Sequence, residues 1–201
     1  FRAAVEKIKK RRDAVLIKAL YLLALRVNEI LTKLSPSNAQ RTKALGNLIK
    51  FKITDFEGER VALFLCAVLK RKPKRKSEQV VYKPVALPCN PIYEPWTLDL
   101  LKWIRDHGSI AFDLTDRYVR KIVKEHLSVL DPNVHPHSLR HYRSTHLVEF
   151  YKFDPWELCT YMGWTFNFGL GNIGFPAGMS DIYVHWMWRR YFPKLLKPLK
   201  G

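Results

Sequence analysis

Apolar residues recur at helical spacing through the first part of the chain, for example at Val15, Leu16 and Ala19. This spacing predicts a helix over residues 3–33, and the polar segment "SPSNAQ" that follows predicts a loop. The longest apolar run, "AVLIKALYLLAL", is interrupted by Lys18 and is too short to span a membrane.

The pattern changes between about Leu45 and Leu87, where β-branched and aromatic residues dominate. The segments "NLIKFKITDF", "RVALFLCAVLK" and "EQVVYKPVAL" are separated by the polar stretches "EGE" and "RKPKRKS". Three such runs predict a three-stranded antiparallel sheet. Pro84 lies in the third run and cannot donate to a neighbouring strand, so this run is expected at the edge of the sheet.

Helical patterns return after Pro91, and several carry terminal signals. "EPWTLDLLKWIRDHG" ends in a glycine suited to a C-cap, and "LTDRYVRKIVKEHLSVL" begins at a capping Thr115 or Asp116. "HSLRHYRSTHLVEFYK" follows, then "DPWELCTYM", capped by Asp154. Residues 163–179 hold five glycines and predict a flexible or irregular loop before a last helix, "SDIYVHWMWRRYF". The predicted class is α+β, mostly α.

Composition adds a strong charge imbalance to this picture. Lysine and arginine total 35 and aspartate and glutamate 18, which gives a net charge of +17. An excess of this size implies an anionic partner, with nucleic acid as the first candidate and an anionic membrane surface as the second. The hydrophobic content of 47% is that of a folded globule and excludes a disordered basic tail.

The 201 residues are enough for one domain with its own core, so residues 1–201 are expected to form a single domain. The start at Phe1 indicates a fragment of a longer protein. Cys66, Cys89 and Cys159 are far apart and form no CxxC pair, which excludes the usual zinc and disulfide frameworks. Reduced thiols of this kind favour an intracellular protein.

The segment "HPHSLRHYRSTHL" raises the possibility of phosphate chemistry. His137 and Arg140 are three positions apart and share one face of a helix. Cleavage of a phosphodiester requires cations for the non-bridging oxygens, a nucleophile and a proton donor for the leaving oxygen. Arg26 and Arg140 could supply the first, His137 the proton handling, and late tyrosines or hairpin lysines the remaining roles.

Four segments in order resemble the sequence boxes of tyrosine recombinases, the phage-integrase family. "ALRVNEIL" resembles the first arginine box and "HSLRHYRSTHL" the H-x-x-R-H box. "YMGW" resembles the Gly-His box with a tryptophan substitute, and "SDIYVHW" resembles the Tyr-x-His box that carries the nucleophile. The boxes run from Arg26 to Tyr183, most of the chain, with a basic hairpin between the first two.

The resemblance implies a role for each matching residue. Tyr183 is expected to attack the phosphorus and form a 3′-phosphotyrosyl link, while Arg26 and Arg140 hold the phosphate oxygens. His137 is expected to assist proton transfer. Trp164 is expected to replace a histidine and to donate one hydrogen bond through its indole nitrogen.

Further expectations concern supporting residues. Glu29 would orient its neighbours, and Lys70 on the hairpin, or else Lys72, would protonate the leaving 5′-oxygen. Further phosphate contacts are expected from Arg71, Lys74, Arg75, Lys76 and His141. The resemblance implies no metal and no other cofactor, because the arginines stabilise the charge.

One spacing departs from the family pattern. Trp164 and Tyr183 are 19 positions apart, about twice the usual gap, and the extra length is the glycine-rich segment. The longer segment leaves open whether Tyr183 acts in its own protomer or in a neighbour. Tyr161 and Tyr191 are competing nucleophile candidates, although neither is followed by x-His.

The resulting hypothesis is the catalytic domain of a site-specific DNA recombinase, an integrase of a mobile element, without its N-terminal core-binding domain. The resemblance implies double-stranded DNA at an attachment site, a homotetramer on that DNA, and a monomer or weak dimer without it. It also implies a cytoplasmic location, and the divergent boxes favour an archaeal or viral source. The alternatives are type IB topoisomerase-like relaxation, a non-catalytic nucleic-acid-binding module and, with less support, a membrane-surface protein.

Overall fold

The computed structural model describes residues 1–31, 49–69, 82–108, 111–164, 166–168, 171–173 and 180–199, the side chains of 166–168, 171–173 and 180–186 excepted. The fold is α+β and mostly α, as predicted, with one small three-stranded antiparallel sheet. The helices are α1 Arg2–Glu6, α2 Arg11–Leu22, α3 Val27–Ile30, α4 Trp96–His107, α5 Asp116–Leu127, α6 Pro136–Glu149, α7 Pro155–Met162 and α8 Ser180–Leu195. The strands are β1 Ile49–Phe56, β2 Glu59–Ala67, β3 Tyr82–Pro88, β4 Phe166–Phe168 and β5 Gly171–Ile173.

The first segment differs from the prediction, because three helices replace the single helix expected over residues 3–33. The chain leaves helical geometry after Glu6 and is extended at Lys10, with ψ of 105°. The chain leaves helical geometry again at Ala24, which has a positive φ of 46°. Apolar spacing could not reveal these breaks, because the residues on both sides of the Ala24 turn are buried in the same core.

Helix α2 passes through the centre of the core and is buried on nearly all sides from Asp13 to Leu22. A helix that is apolar around its whole circumference is typical of such a central position. Lys18 is buried in this helix with ion-pair partners, since its ammonium lies 3.1 Å from a carboxylate oxygen of Asp99 and 3.6 Å from one of Glu6.

The sheet has the order β1–β2–β3, so the strand that contains Pro84 lies at an edge, as predicted. Helix α8 covers that edge through Tyr191. The Tyr191 hydroxyl accepts a hydrogen bond from the Ala86 amide at 3.0 Å and donates one to the Pro84 carbonyl at 3.1 Å. These bonds satisfy edge-strand groups that would otherwise be buried without a partner.

The helix-terminal predictions are confirmed where the structure describes them. Thr115 caps α5 and accepts a hydrogen bond from the Tyr118 amide, Asp154 caps α7, and Gly108 ends α4 with a φ of 54°. The region predicted as an irregular loop contains β4 and β5. These two strands are antiparallel, and Phe166 pairs with Ile173. None of the helices in the described ranges is long and apolar enough to cross a bilayer.

Candidate functional site

Arg26 is the N-cap of the short helix α3 and follows directly on the turn that ends α2. Glu29 holds it twice, since its carboxylate accepts from the Arg26 amide at 2.8 Å and from the guanidinium Nη1 at 2.9 Å. The Glu29 side chain is 1% exposed and that of Arg26 is 29% exposed. The buried carboxylate therefore orients a guanidinium whose outer part is open to solvent.

Arg140 approaches the same turn from α6, but it is buried and only 1% exposed. Its guanidinium donates to the carbonyl of Ala24 and, at 2.5 Å, to that of Met162 at the end of α7. Burial, and then the nearby charge of Arg26, lower the pKa of Arg140 to about 10. Two of its five N–H groups are used in these bonds, so Arg140 joins three elements at one point.

His137 lies in the first turn of α6 and is exposed. Burial of part of the ring lowers its pKa, and the charges of His141, Arg140 and Arg26 lower it further. The neutral form of His137 is therefore favoured near pH 7, and it could accept a proton. The exposed His141 stands beside it, with ring centroids 4.5 Å apart.

Trp164 follows the end of α7, where Gly163 adopts a left-handed conformation with φ of 68°. The Trp164 amide donates to the carbonyl of Cys159 at 2.9 Å, which closes the helix end. The Arg140 guanidinium carbon lies 5.8 Å from the centre of the indole ring. The structure thus brings the Gly-Trp segment next to Arg140.

Lys83 was missed by the sequence reasoning. It lies on β3, is 2% exposed, and donates to the carbonyls of Leu23 at 2.6 Å and Ala24 at 3.1 Å. Burial, followed by the charge of Arg140, lowers its pKa to about 7. The sequence did contain a signal for Lys83, since it stands in the middle of the apolar run "VVYKPVALP". A lysine that is buried in such a strand is nearly always paired with another group.

The predicted nucleophile, Tyr183, lies in the first turns of α8, although its side chain is outside the described part. Its two competitors are structural. Tyr161 and Tyr191 are both 0% exposed, with hydrogen-bonded hydroxyls, and burial raises the pKa of each. The predicted hairpin residues Lys70, Arg71, Lys72, Lys74, Arg75 and Lys76 lie outside the described residues.

Within the described residues, three basic side chains and one carboxylate therefore surround the turn after α2. Arg26 and Glu29 come from α3, Arg140 from α6 and Lys83 from β3. No group of three or more His, Cys, Asp or Glu side chains in this part of the chain is arranged to hold a metal ion. Burial and neighbouring positive charge lower the pKa values of Lys83 and Arg140, so an anion bound at this turn would stabilise the site.

Comparison with known proteins gives no match: no family model fits the sequence, and neither a curated protein nor a solved structure resembles it significantly.

Proposed function

We propose that this chain is the catalytic domain of a tyrosine-type DNA recombinase, which cuts and rejoins DNA through a phosphotyrosyl intermediate. The observation that carries the proposal is the excess of positive charge around one turn. Arg26, Lys83 and Arg140 approach a point where Glu29 is the neighbouring carboxylate. A phosphodiester would supply the missing negative charge, and guanidinium groups match its oxygens in both charge and geometry.

The candidate side chains can fill each role that this class of reaction requires. The Tyr183 oxygen would attack phosphorus as the bond to the 5′-oxygen breaks, and His137 would accept the phenolic proton. A lysine of the segment between β2 and β3, Lys70 or Lys72, would protonate the departing 5′-oxygen. Arg26 and Arg140 would stabilise the charge on the non-bridging oxygens, and the phosphotyrosyl bond would conserve the energy for rejoining.

The proposed substrate is double-stranded DNA at an attachment site, and the proposed working form is a homotetramer on that DNA. The net charge of +17 supports a nucleic-acid partner, because basic proteins bind phosphates by releasing counterions. Since the proposed activity requires access to a genome, its proposed location is the cytoplasm of the cell or of a host.

The test is formation of a covalent adduct. The protein is incubated in EDTA with nicked duplexes of randomised sequence, from which the cleaved end diffuses away, and adducts that survive denaturation are mapped by mass spectrometry. Adduct on Tyr183 is expected in the unchanged chain. Tyr183→Phe should abolish it and leave DNA affinity nearly unchanged, because the hydroxyl is the bond-forming atom and contributes little to binding.

Each other outcome changes the assignment in a defined way. An adduct that persists in Tyr183→Phe would overturn the nucleophile. Relaxation of supercoiled plasmid without recombinant products would favour the topoisomerase-like alternative. Tight, salt-sensitive binding with no adduct on any duplex would contradict the enzyme and favour a binding module.

A further inference from the structure

The backbone carbonyls of three consecutive residues, Leu22 to Ala24, lie at the end of helix α2 and in the turn that follows. Side chains from other elements donate hydrogen bonds to all three. The Leu22 carbonyl accepts from the Tyr161 hydroxyl at 2.5 Å. The Leu23 carbonyl accepts from the Lys83 ammonium at 2.6 Å, and the Ala24 carbonyl accepts from Lys83 at 3.1 Å and from Arg140. We call Lys83, Arg140 and Tyr161 the carbonyl clamp.

The clamp replaces hydrogen bonds that a continuing helix would make. The Arg26 amide, which could reach the Leu22 carbonyl in a longer helix, donates to Glu29 instead. Carbonyls at a helix C-terminus also carry partial negative charge, so cationic donors suit them. The clamp therefore stabilises a turn in which Ala24 has a φ of 46°, a conformation that is unfavourable for a residue with a Cβ.

Lys83, unlike Arg140, is a basic member of the clamp to which the proposed recombinase reaction gives no role. Its stem passes over Gly163, where an added Cβ would lie 3.0 Å from Lys83 Cδ. The amine is thereby held against the two carbonyls, and the charged or polar side chains that act on it are Arg140, Cys66, Glu29 and Arg26.

Tyr161 is held in turn by Arg143, one helical turn beyond Arg140. The hydroxyl of Tyr161 accepts from Arg143 Nε at 3.2 Å and Nη2 at 2.9 Å while it donates to Leu22. The clamp is therefore anchored on β3, α6 and α7. The turn that it binds is followed after one residue by Arg26.

We propose that Lys83 is a positioning residue, which holds the turn between α2 and α3 so that the Arg26 guanidinium faces the scissile phosphate. This inference rests on the proposed function. Lys83 does not touch DNA in this scheme and does not protonate the leaving oxygen. Its removal displaces Arg26, a group that acts in the transition state, while the many surface phosphate contacts that determine affinity remain.

The first experiment needs no DNA. Hydrogen exchange is measured by mass spectrometry on peptides that cover residues 22–31, in the unchanged chain and in Lys83→Met, Tyr161→Phe and Lys18→Met. Lys18 is the matched control, because it is also a buried lysine, but it lies on α2 itself and pairs with Asp99. Faster exchange in Lys83→Met and Tyr161→Phe, with no change in Lys18→Met, is expected. Equal exchange in all four chains would overturn the proposal.

The second experiment compares cleavage of two nicked duplexes, one with an ordinary 5′-oxygen leaving group and one with sulfur at that position. A thiolate needs no proton to leave, so the sulfur substrate bypasses a missing proton donor. Lys83→Met is expected to slow adduct formation on both substrates by about 10- to 100-fold, with little change in half-saturating DNA concentration. Lys18→Met should react at the rate of the unchanged chain.

The outcomes separate this inference from the proposed function. Rescue of Lys83→Met by the sulfur substrate alone would make Lys83 the proton donor and overturn the positioning role. An unchanged rate on both substrates would also overturn it. An unchanged chain that forms no adduct on either substrate would contradict the recombinase function itself, and the positioning role in catalysis with it.

Discussion

The residues around Arg26 are organised by donation to backbone carbonyls more than by ion pairs. Lys83 and Arg140 are both almost fully buried, and their described hydrogen bonds end on carbonyl oxygens. Charged donors to carbonyls are strong, yet they leave the net positive charge in place. A site built in this way is rigid and keeps its attraction for an anion.

Gly163 is a residue-scale test of this rigidity. Its φ of 68° disfavours any side chain, and an added Cβ would lie 3.0 Å from Lys83 Cδ and 3.1 Å from Val68 Cγ2. Gly58 has a similar φ of 81° but no atom within 4 Å of such a Cβ. Gly58→Ala is expected to lower the free energy of unfolding by about 1 kcal/mol, from backbone strain alone.

Gly163→Ala is expected to cost about 1 to 3 kcal/mol more, because the methyl group crowds Lys83 and Val68. Urea denaturation of both variants measures the difference. Equal destabilisation of the two variants would show that the Lys83 stem moves away freely and does not restrain the ammonium.

At the scale of elements, α2 and α6 are joined by a buried polar cluster of Tyr21, Arg143 and His146. Arg143 lies under three tyrosine rings, with its guanidinium carbon 5.3 Å from the ring centre of Tyr21. The Tyr21 hydroxyl is 2.6 Å from Nδ1 of His146. Because Arg143 also binds Tyr161, this cluster connects the packing of the two helices to the carbonyl clamp.

His146 makes that helix contact sensitive to acid. Burial, followed by the charges of Arg143 and Arg2, lowers the pKa of His146 to about 3. Between pH 3 and 6.5 the unfolded chain binds a proton at this histidine and the folded chain does not. The free energy of unfolding therefore rises with pH across this window, and the contribution of His146 to stability declines as pH falls from 6.5.

His146→Asn should remove this contribution while keeping an acceptor for Tyr21. The slope of unfolding free energy against pH, from urea denaturation between pH 4 and 6.5, is expected to fall by up to about 1.4 kcal/mol per unit. Thr145→Asn, at an exposed position on the same helix that carries no titratable group, is the control and should keep the original slope. A slope unchanged in His146→Asn would mean that the folded state accommodates the protonated ring.

At the scale of the whole molecule, the charge of +17 would dominate the interaction with the proposed DNA partner. The proposed reaction centre needs few of the basic side chains, so most would act as surface contacts to phosphates. The predicted hairpin contacts, Lys74 and Lys76 among them, belong to this set. Their contribution should appear in the salt dependence of DNA affinity and leave the chemistry of the adduct unchanged.

The salt dependence gives a prediction with a number. The slope of log affinity against log salt is expected to become shallower by about 0.9 for each phosphate that the protein no longer neutralises, so Lys74→Gln with Lys76→Gln should reduce it by about 1.8. Lys197→Gln is the control, because that ammonium already lies 4.2 Å from the ring centre of Phe150 and donates to its carbonyl. Filter binding across a salt series measures all three slopes. An unchanged slope in the double variant would exclude the hairpin from the DNA interface.

Much of the fold could be predicted because its signals are local. Thr115 and Asp154 indicate helix starts, because their side chains accept hydrogen bonds from the first turn of the helix. Pro84 indicates an edge strand, because it has no N–H to donate to a second neighbouring strand. The break at Ala24 has no such signal, because its positive φ is stabilised by side chains more than 50 positions away in sequence, Lys83 and Arg140.

The same difference between local signals and long-range contacts applies to the candidate site. The sequence by itself determined the class of fold and the basic character, because these follow from composition and short-range spacing, while the family resemblance indicated the candidate residues Arg26, His137, Arg140 and Trp164. Only the tertiary structure decided that Arg140 is buried against two carbonyls and that Lys83 joins it at the same turn. The physical reason is that a desolvated cation needs partners, and those partners come from elements that meet only when the core is packed.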